Sequence, residues 1–489
     1  MKNQVQLITY VDRLSGGGIR DLQALLEGPL SGIFGGAHLL PFFYPYDGSD
    51  SGFDPIDHME VDPRLGTWED LRSLGSIIDL MADLIVNHVS YQSPQFQDFS
   101  QLGQNSRYAG MFLSYDRVFP HGATESDLLR VYRPRPGLPF TYATLANGDK
   151  RLLWTTFTPQ QIDIDVTHPQ GKAYLNAILE QFHAAGIRVI RLDAVGYSIK
   201  TAGTSCFLTP ETFEFIDELM THARKLGIEV LVEVLSDNKQ QIEIARRVDW
   251  VYDFALPSLV LHALYKADAA PLTKWLEIRP SNAVTVLDTH DGIGVIDVGA
   301  DSNGATGLLD AHQIDDLVET LHRLSGGQSR QATRAAAGNL DLYQVNCTFL
   351  DALGNDPTLY LIARAIQLFV PGIPQIYYVG LLAGINDMDL LALSGVGRDI
   401  NRHYYTKIEL QASLQQPVVI RLIELIRLRN SHPAFNGHCS TESTSSNLIK
   451  ISWSLDNHHI MLQVDLAAHR AVIKHSTGTN GQSTQILIG

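Results

Sequence analysis

Cysteine is scarce in this sequence, and the spacing of the few cysteines excludes two kinds of stabilising centre. The chain has 489 residues and three cysteines, Cys206, Cys347 and Cys439, none of them in a CxxC pair. A disulfide framework or a structural zinc site needs more cysteines at closer spacing. We therefore expect all three to be small buried hydrophobic residues in a protein of a reducing compartment.

Positive charge is also in deficit. Lys and Arg number 37 against 53 Asp and Glu, so the formal net charge is −16, and no run of basic residues interrupts this background. A phosphate backbone or an anionic membrane surface repels such a chain. The sequence therefore predicts no nucleic acid and no membrane among the partners.

The sequence also offers no targeting signal and no membrane helix. Residues 1–11 lack the basic region, apolar core and cleavage site of a secretory signal. The most apolar stretch, 359–385, is interrupted by Arg364, Gln367 and two prolines, whereas a membrane helix needs ~20 mostly apolar residues. This stretch is typical of a buried helix followed by a buried strand. We expect a cytoplasmic protein.

What the chain does contain is a series of eight short apolar runs separated by helix-like stretches. This alternation is typical of βα units whose parallel sheet is buried on both faces. Eight units predict an α/β protein built on a (β/α)8 or TIM barrel. The predicted strands are 5–9, 37–43, 80–86, 187–192, 228–232, 251–255, 283–287 and 373–379, and the predicted helices include 68–74, 171–185, 210–226 and 359–369.

Uneven spacing of these runs indicates insertions into the barrel. The interval between the third and fourth runs is far longer than a crossover helix needs. Its Pro and Gly residues favour irregular loops, and a later insertion carries one predicted helix, 315–323. Short alternating runs near the end of the chain predict antiparallel strands. The predicted domains are a barrel of 1–86, 168–291 and 355–432, inserted subdomains at 87–167 and 292–354, and a small antiparallel β domain at 433–489.

Three of the apolar runs end in a carboxylate. Asp193 ends the fourth run, Glu233 the fifth and Asp291 the seventh. The chemistry of such barrels takes place at the C-terminal ends of the strands. Two facing carboxylates suit glycoside chemistry, one as nucleophile or base and one as proton donor, and a third can stabilise positive charge on the sugar. A single acid of this kind is more often a turn or capping residue, but three together favour catalysis.

Residues next to these acids fit a sugar-binding pocket. Arg191 shares a strand face with Asp193 and should keep that carboxylate ionised, whereas Glu233 needs a raised pKa to deliver a proton. His88 and His290 also follow apolar runs. Hydrogen bonding to sugar hydroxyls suits both better than metal ligation, because no HxxxH or CxxC pattern accompanies them. Aromatic platforms for a sugar ring, each of which is individually more often a loop-packing residue, are Phe53, Phe157, Tyr197 and Tyr343.

The segments that carry these residues resemble the conserved regions of the α-amylase superfamily of retaining glycoside hydrolases and transglucosidases. They read DLIVNH from Asp83, GIRVIRLD from Gly186, EVLVE from Glu229 and VLDTHD from Val286. Within that superfamily, further segments resemble the sucrose phosphorylases over roughly residues 1–435. These segments are QLITY from Gln6, DSGFDPID from Asp50, YRPRPG from Tyr132, NLDLYQVN from Asn339 and GRDINR from Gly397.

The resemblance implies a role for each matching residue. It makes Asp193 the nucleophile, Glu233 the general acid/base and Asp291 the transition-state stabiliser. Arg135 would bind phosphate, because its guanidinium can contact two oxygens at once. The other implied substrate-binding residues are Asp50, Phe53, His88, Phe157, Arg191, Tyr197, His290 and Arg398 on the glucosyl side, and Asp341, Leu342, Tyr343 and Gln344 in an acceptor loop.

The implied reaction is reversible phosphorolysis of sucrose by inorganic phosphate. It gives α-glucose 1-phosphate and fructose through a covalent β-glucosyl-enzyme, with side transglucosylation of other acceptors. The resemblance also implies a homodimer and no cofactor. Asn87 occupies a position that binds calcium in many amylases, but sucrose phosphorylases are not expected to need the ion, so no metal is predicted.

One departure from the family pattern leaves the acceptor open. Leu235 stands two residues after Glu233, where these enzymes usually carry a histidine, and Asp237 and Asn238 replace bulkier aromatic residues. Phosphorylases of sucrose 6'-phosphate, glucosylglycerol or glucosylglycerate are therefore alternatives, as is a sucrose hydrolase or transglucosidase. A barrel without catalysis, like the amylase-like partners of transporters, is disfavoured because all three acids are present.

Overall fold

Eight parallel strands close into a barrel in this computed structural model, which describes residues 1–134, 137–301, 304–335, 344–476 and 483–489. The predicted TIM barrel is confirmed, and each predicted run overlaps one of its strands. In chain order the strands are β1 (Gln6–Thr9), β2 (Gly36–Leu39), β3 (Asp79–Ile85), β4 (Ile187–Asp193), β5 (Glu229–Val232), β6 (Trp250–Asp253), β7 (Ala283–Thr285) and β8 (Ile373–Tyr377).

The apolar character of the strands follows from burial on both faces. One set of side chains fills the barrel interior, with Met81, Val189, Leu231, Val284 and Ile373 each coming from a different strand. The opposite faces pack against the helices in a much larger core. This filled interior leaves the polar residues at the strand ends to form a site at one mouth of the barrel.

Several of the helices that surround the barrel begin after residues whose side chains cap them. Thr67, Thr209 and Asp356 each accept a hydrogen bond from a backbone N–H of the first helical turn, which satisfies donors that have no partner within the helix. The helices are Val11–Ser15, Ile19–Glu27, Trp68–Gly75, Pro169–Ala184, Pro210–Lys225, Asn238–Ala245, Ala255–Lys266, Ala270–Ile278, Pro357–Phe369, Tyr378–Leu381, Met388–Ser394, Lys407–Ser413 and Pro417–Ser431.

The segment between β3 and β4 is more regular than the expected irregular loops. Short antiparallel pairs organise it, and pairs of three and five residues are too short to leave a clear sequence period. Its strands are His88–Ser90, Phe140–Thr144, Lys150–Trp154 and Gln161–Asp163, and its helices are Pro94–Leu102, Tyr115–Val118 and Glu125–Arg130.

The segment between β7 and β8 contains more than the single helix expected. The predicted helix is present as Ala311–Leu324, and Gln328–Ala335 and Phe349–Ala352 are also helical. The sequence QSRQATRA of the second helix has almost no apolar residues, so it carries no apolar stripe to reveal it. A strand pair, Ile293–Gly294 with Gln344–Val345, ties the two ends of this segment together.

Beyond the barrel, five antiparallel strands form the predicted C-terminal sheet. Trp453 of this sheet donates a hydrogen bond from its indole N–H to the carbonyl of Phe369 at 2.7 Å, which connects the sheet to a barrel helix. The domain boundaries themselves stay predictions. The strands are His438–Ser445, Leu448–Leu455, His458–Asp465, Arg470–Ser476 and Ser483–Ile488.

The cysteines and the apolar stretch behave largely as expected. All three cysteines are free thiols, and Cys206 and Cys347 are buried, but Cys439 is only partly buried because it lies on an outer strand of the C-terminal sheet. The apolar stretch forms the buried helix Pro357–Phe369 and strand β8. Within the described parts of the chain, every helix falls short of the length and apolarity that a bilayer crossing demands.

Candidate active site

Ten of the predicted site residues line one pocket at the C-terminal mouth of the barrel. They come from loops that follow six different strands, so only the closed barrel brings them together. The ten are Asp50, Phe53, His88, Phe157, Asp193, Tyr197, Glu233, His290, Asp291 and Arg398.

The three carboxylates stand on adjacent or nearby strands. Asp193 is the last residue of β4, Glu233 directly follows β5, and Asp291 lies in the loop after β7. Their side chains are 14%, 13% and 17% exposed, so each is buried except for the atoms that face the pocket. The strand ends thus aim three acids into one small volume, as predicted.

Arg191 lies directly beneath two of these acids. One guanidinium nitrogen donates to Asp193 Oδ1 at 2.9 Å and also to Asp83, and the other is 3.6 Å from Glu233 Oε1. Asp83 is completely buried and pairs as well with His38 Nε2 at 3.0 Å. His38 and Asp83 were not among the predicted site residues, although Asp83 opens the first family-like segment. Their contacts fix the position of Arg191 under the pocket.

Burial sets the pKa values of the two acids above Arg191. It raises the pKa of Glu233 to about 7, with the negative charges of Asp193 and Asp291 adding to it and Arg191 opposing it. Burial also raises the pKa of Asp193 to about 6, again against Arg191. Desolvation therefore outweighs the ion pair with Arg191 in setting the pKa of Asp193. At neutral pH Asp193 is still mainly ionised, and Glu233 is partly protonated.

Asp291, in contrast, has a lowered pKa and stays ionised. Burial works to raise its pKa, but the positive charge of Arg398, 2.9 Å away, together with His290 and Arg402 keeps that pKa below the usual range. The His290 ring is 3.3 Å from the carboxylate and is itself buried, which lowers its pKa well below normal. Asp291 is therefore a permanent negative charge in the pocket.

Aromatic rings form one wall of the pocket. Phe53 stacks on His290 with ring centroids 5.0 Å apart. Phe157 contacts both His88 at 5.4 Å and Tyr197 at 5.2 Å. These rings offer a flat apolar surface of the kind on which a pyranose ring packs.

Several lining residues were not predicted as site residues. Those from the loop after Asp193 had no distinguishing sequence signal, whereas Tyr132 and Pro134 lie within a family-like segment. Leu235, noted from the sequence as a departure, does line the pocket. The unpredicted lining residues are Tyr132, Pro134, Ala194, Gly196, Phe207, Val234 and Ile296.

The predicted acceptor loop is only partly described. Gln344 pairs with Gly294 in the short strand pair after β7 and does not line the pocket itself. Arg135, Asp341, Leu342 and Tyr343 lie outside the described residues, so their roles stay predictions.

A lysine side chain occupies the surroundings of Asn87. Lys200 Nζ donates to Asn87 Oδ1 at 2.7 Å and forms an ion pair with Asp163, and both partners in that pair are almost completely buried. Thr156 and Asn87 donate further hydrogen bonds to the Asp163 carboxylate. Over the described stretches of the chain, the His, Cys, Asp and Glu side chains nowhere form a group of three or more suited to hold a metal ion. An ammonium group therefore supplies the positive charge at this position.

Replacing this lysine should weaken the fold. Lys200→Met is expected to lower the free energy of unfolding by ~3–5 kcal/mol, because it leaves Asp163 buried without its cation. Equilibrium unfolding in denaturant, followed by tryptophan fluorescence, measures the change. The matched control is Lys172→Met, which removes an exposed pair with Glu218 and should have little effect. Equal effects of the two substitutions would contradict the assignment.

A parallel (β/α)8 barrel with three acids at the ends of its fourth, fifth and seventh strands defines a class, the barrel enzymes of glycoside chemistry. A family model for the catalytic domain of α-amylase matches residues 34–278. The chain is 59% identical over 476 residues to the sucrose phosphorylase of Agrobacterium vitis, covering 97% of this chain and 98% of that one. It is 52% identical over 455 residues to the sucrose phosphorylase of Bifidobacterium adolescentis, covering 93% and 90%.

A solved structure of a related phosphorylase has the same fold over the whole chain. The crystal structure of sucrose 6F-phosphate phosphorylase from Thermoanaerobacter thermosaccharolyticum superposes with a TM-score of 0.91 at 38% identity, covering 100% of this chain and 98% of that one. The chain therefore belongs to the α-amylase superfamily and, within it, to the sucrose phosphorylase family. The resemblance noted in the sequence is confirmed.

Proposed function

We propose that this protein catalyses the reversible phosphorolysis of sucrose to α-glucose 1-phosphate and fructose. One observation carries the proposal: Asp193, Glu233 and Asp291 share a single pocket, with Arg191 beneath the first two, in a chain of the sucrose phosphorylase family. The differing protonation states of the three acids match the three tasks that retaining glucosyl transfer requires.

The first step transfers the glucosyl unit to the enzyme. Asp193, mainly ionised, attacks C1 of the glucosyl unit and forms a C–O bond as the bond to fructose breaks. Glu233 gives its proton to the departing fructose oxygen. Asp291, kept negative by Arg398, stabilises the positive charge that develops on the sugar ring.

The second step passes the glucosyl unit to phosphate. Phosphate attacks C1 from the side that fructose has left as the bond between C1 and the Asp193 carboxylate breaks, and the Glu233 carboxylate takes the proton of the attacking oxygen. Two inversions give α-glucose 1-phosphate with net retention. We assign phosphate contact to Arg135, and contact with phosphate or fructose to the loop from Asp341 to Gln344. Contact with the glucosyl ring is assigned to Asp50, His88, Arg191, His290 and Arg398, with Phe53, Phe157 and Tyr197 as its apolar surroundings.

Product analysis with sucrose tests this function. Reactions with and without inorganic phosphate are compared for glucose 1-phosphate, free glucose and fructose. Phosphate-dependent glucose 1-phosphate in step with fructose is the expected result. Free glucose or oligosaccharides regardless of phosphate would instead establish a hydrolase or transglucosidase.

The plot of initial rate against pH should be bell-shaped and narrow. Activity falls toward acid as Asp193, with a pKa of about 6, becomes protonated and loses its nucleophilicity. It falls toward alkali as Glu233, with a pKa of about 7, loses the proton it must deliver. Initial rates of fructose release between pH 4 and 9 at low sucrose concentration measure both limbs. A single limb, or a plateau extending above pH 8, would contradict these protonation states.

A second candidate function differs only in the acceptor. Leu235 lines the pocket where the family usually has histidine, which favours testing phosphorylase activity toward sucrose 6'-phosphate and glucosylglycerol. Synthesis from glucose 1-phosphate is measured with fructose, fructose 6-phosphate, glycerol and glycerate as acceptors. Fructose is expected to be used best. If another acceptor is used better than fructose and Leu235→His restores the preference for fructose, the protein is instead a phosphorylase of the compound that this acceptor forms with glucose.

We further propose a homodimer that works in the cytoplasm without a cofactor or metal. Light scattering on the purified protein gives the oligomeric state. Dialysis against a chelator should leave the rate of phosphorolysis unchanged.

A further inference from the structure

We infer that Asp297 and Gln241 form a neutral acid–amide pair that positions the acceptor side of the pocket, and that Asp297 thereby acts as a positioning residue for fructose and phosphate. This inference rests on the proposed function.

The pair connects two loops that both reach the pocket. Asp297 lies in the short helical turn Ile296–Val298 after β7, and Gln241 lies on the helix Asn238–Ala245 after β5. Ile296, which precedes Asp297, lines the pocket, and so does Leu235, which precedes Ser236 in the loop after β5. Asp297 therefore connects the loop next to Glu233 with the loop next to Asp291.

The hydrogen bonds of the pair fix the loop that carries Leu235. Gln241 Nε2 donates to Asp297 Oδ1 at 2.7 Å and to the carbonyl of Ser236 at 3.1 Å. The Ser236 N–H lies 3.4 Å from the same carboxyl oxygen. Asp297 is 0% exposed and Gln241 is 3% exposed, so water does not screen these contacts.

Two unsatisfied oxygens on this pair reveal its protonation state. Asp297 Oδ2 and Gln241 Oε1 are both buried, and neither has a hydrogen-bond partner among the residues that the structure describes. Both atoms are acceptors if Asp297 is ionised, which would leave two buried polar groups without donors. A proton on Oδ2 makes that atom a donor. A carboxylic acid and a primary amide can form two opposed hydrogen bonds, and the second of these, from Asp297 Oδ2 to Gln241 Oε1, would satisfy both orphan oxygens.

The surrounding charges also favour the neutral acid. Burial raises the pKa of Asp297 well above its ordinary value, and the negative charge of Asp253 raises it further. The Arg279 guanidinium is paired with Asp253 at 2.7 Å. Lys239, on the same helix as Gln241, is paired with Asp301 at 2.6 Å. These cations are therefore engaged elsewhere.

Gly294, three residues before Asp297, packs against the carboxyl group and leads to a third segment. A Cβ atom on Gly294 would lie only 2.6 Å from Asp297 Oδ2, so this close approach depends on glycine. Gly294 pairs in turn with Gln344 of the predicted acceptor loop. Loss of the pair should therefore disturb three segments on the acceptor side and leave the glucosyl side in place.

Two substitutions of Asp297 separate the neutral pair from an ionised carboxylate. Asp297→Ala is expected to raise the KM for phosphate and for fructose by about tenfold, the loss expected from one or two hydrogen bonds. Hydrolysis of α-glucosyl fluoride, which needs no acceptor site for fructose or phosphate, should be unchanged. Asp297→Asn keeps one donor and one acceptor facing Gln241, so its KM values should stay within about twofold of the original.

The results that would overturn the inference are distinct from failure of the proposed function. If Asp297→Asn raises the KM values for phosphate and fructose as much as Asp297→Ala does, the negative charge of Asp297 is needed. Equal losses on α-glucosyl fluoride and on both acceptors would show a purely structural role. If the unmodified protein hydrolyses α-glucosyl fluoride but makes no glucose 1-phosphate from sucrose, the proposed function fails instead.

Proton linkage gives an independent test. The unfolded chain ionises an aspartate near pH 3.9, whereas folded Asp297 keeps its proton to higher pH. The native protein therefore loses stability relative to Asp297→Asn as the pH rises above that value. Melting temperatures of the two proteins between pH 4 and 8 should show a difference that moves in favour of Asp297→Asn with rising pH. A constant difference would show that folded Asp297 ionises like an exposed acid and would overturn the inference.

Discussion

Replacing Asp193 by alanine is expected to lower kcat for sucrose phosphorolysis by at least ~10⁴-fold, in line with removal of other catalytic nucleophiles. The covalent intermediate forms only through this carboxylate, and the other two acids cannot replace it. Glu233 is required as the proton donor, and Asp291 is held in an ion pair with Arg398. Release of fructose and formation of glucose 1-phosphate measure the loss.

A small anion should restore part of the reaction in this variant. Azide can occupy the space left by the Asp193 side chain and attack C1 of α-glucosyl fluoride from the face opposite to fluoride. The product is then β-glucosyl azide, because only one inversion occurs. Asp389→Ala, at an exposed position on the helix Met388–Ser394, is the control and should keep full activity. Persistence of the original rate in Asp193→Ala would show that the assignment of roles is wrong.

The barrel and its three acids could be predicted from the sequence because their signals are local. A parallel strand buried on both faces is a short run of apolar residues, and the acid that ends the run lies at the active mouth of the barrel. β4 is such a case, since Ile187–Asp193 contains both the buried strand and the carboxylate. One segment of sequence thus predicted both a structural element and a carboxylate that lines the pocket.

The features that escaped prediction depend on contacts between distant segments. Lys200 and Asp163 are unremarkable polar residues in the sequence, and only the approach of two loops buries them as an ion pair. Asp297 and Gln241 are 56 residues apart and meet because β5 and β7 are separated by a single barrel strand. No local pattern encodes such pairs.

The protonation states of the acids could not be predicted from the sequence either, because they depend on burial by the whole pocket. The strand face shared by Arg191 and Asp193 was visible in the sequence, and the ion pair is present at 2.9 Å. The burial that outweighs this pair and raises the pKa of Asp193 depends on the whole pocket. Sequence reasoning therefore identified the interacting groups but not the balance between them.

Glu233→Gln is expected to lower kcat for sucrose by ~10²–10⁴-fold, the usual contribution of a general acid. Fructose is a poor leaving group without a proton, and the amide cannot supply one. Fluoride leaves without protonation, so formation of the glucosyl-enzyme from α-glucosyl fluoride should be little affected. Stopped-flow measurement of fluoride release compares the two donors, and an equal loss on both would contradict the role of Glu233 as acid.

The azide product distinguishes this variant from Asp193→Ala. In Glu233→Gln the nucleophile is intact, so azide attacks the covalent β-glucosyl-enzyme from the face that fructose or fluoride has left. A second inversion then gives α-glucosyl azide. The two variants should therefore yield opposite anomers from the same donor. Since each anomer reports which face of the sugar the missing carboxylate occupied, an exchange of the two products would assign the nucleophile to Glu233 and the acid to Asp193.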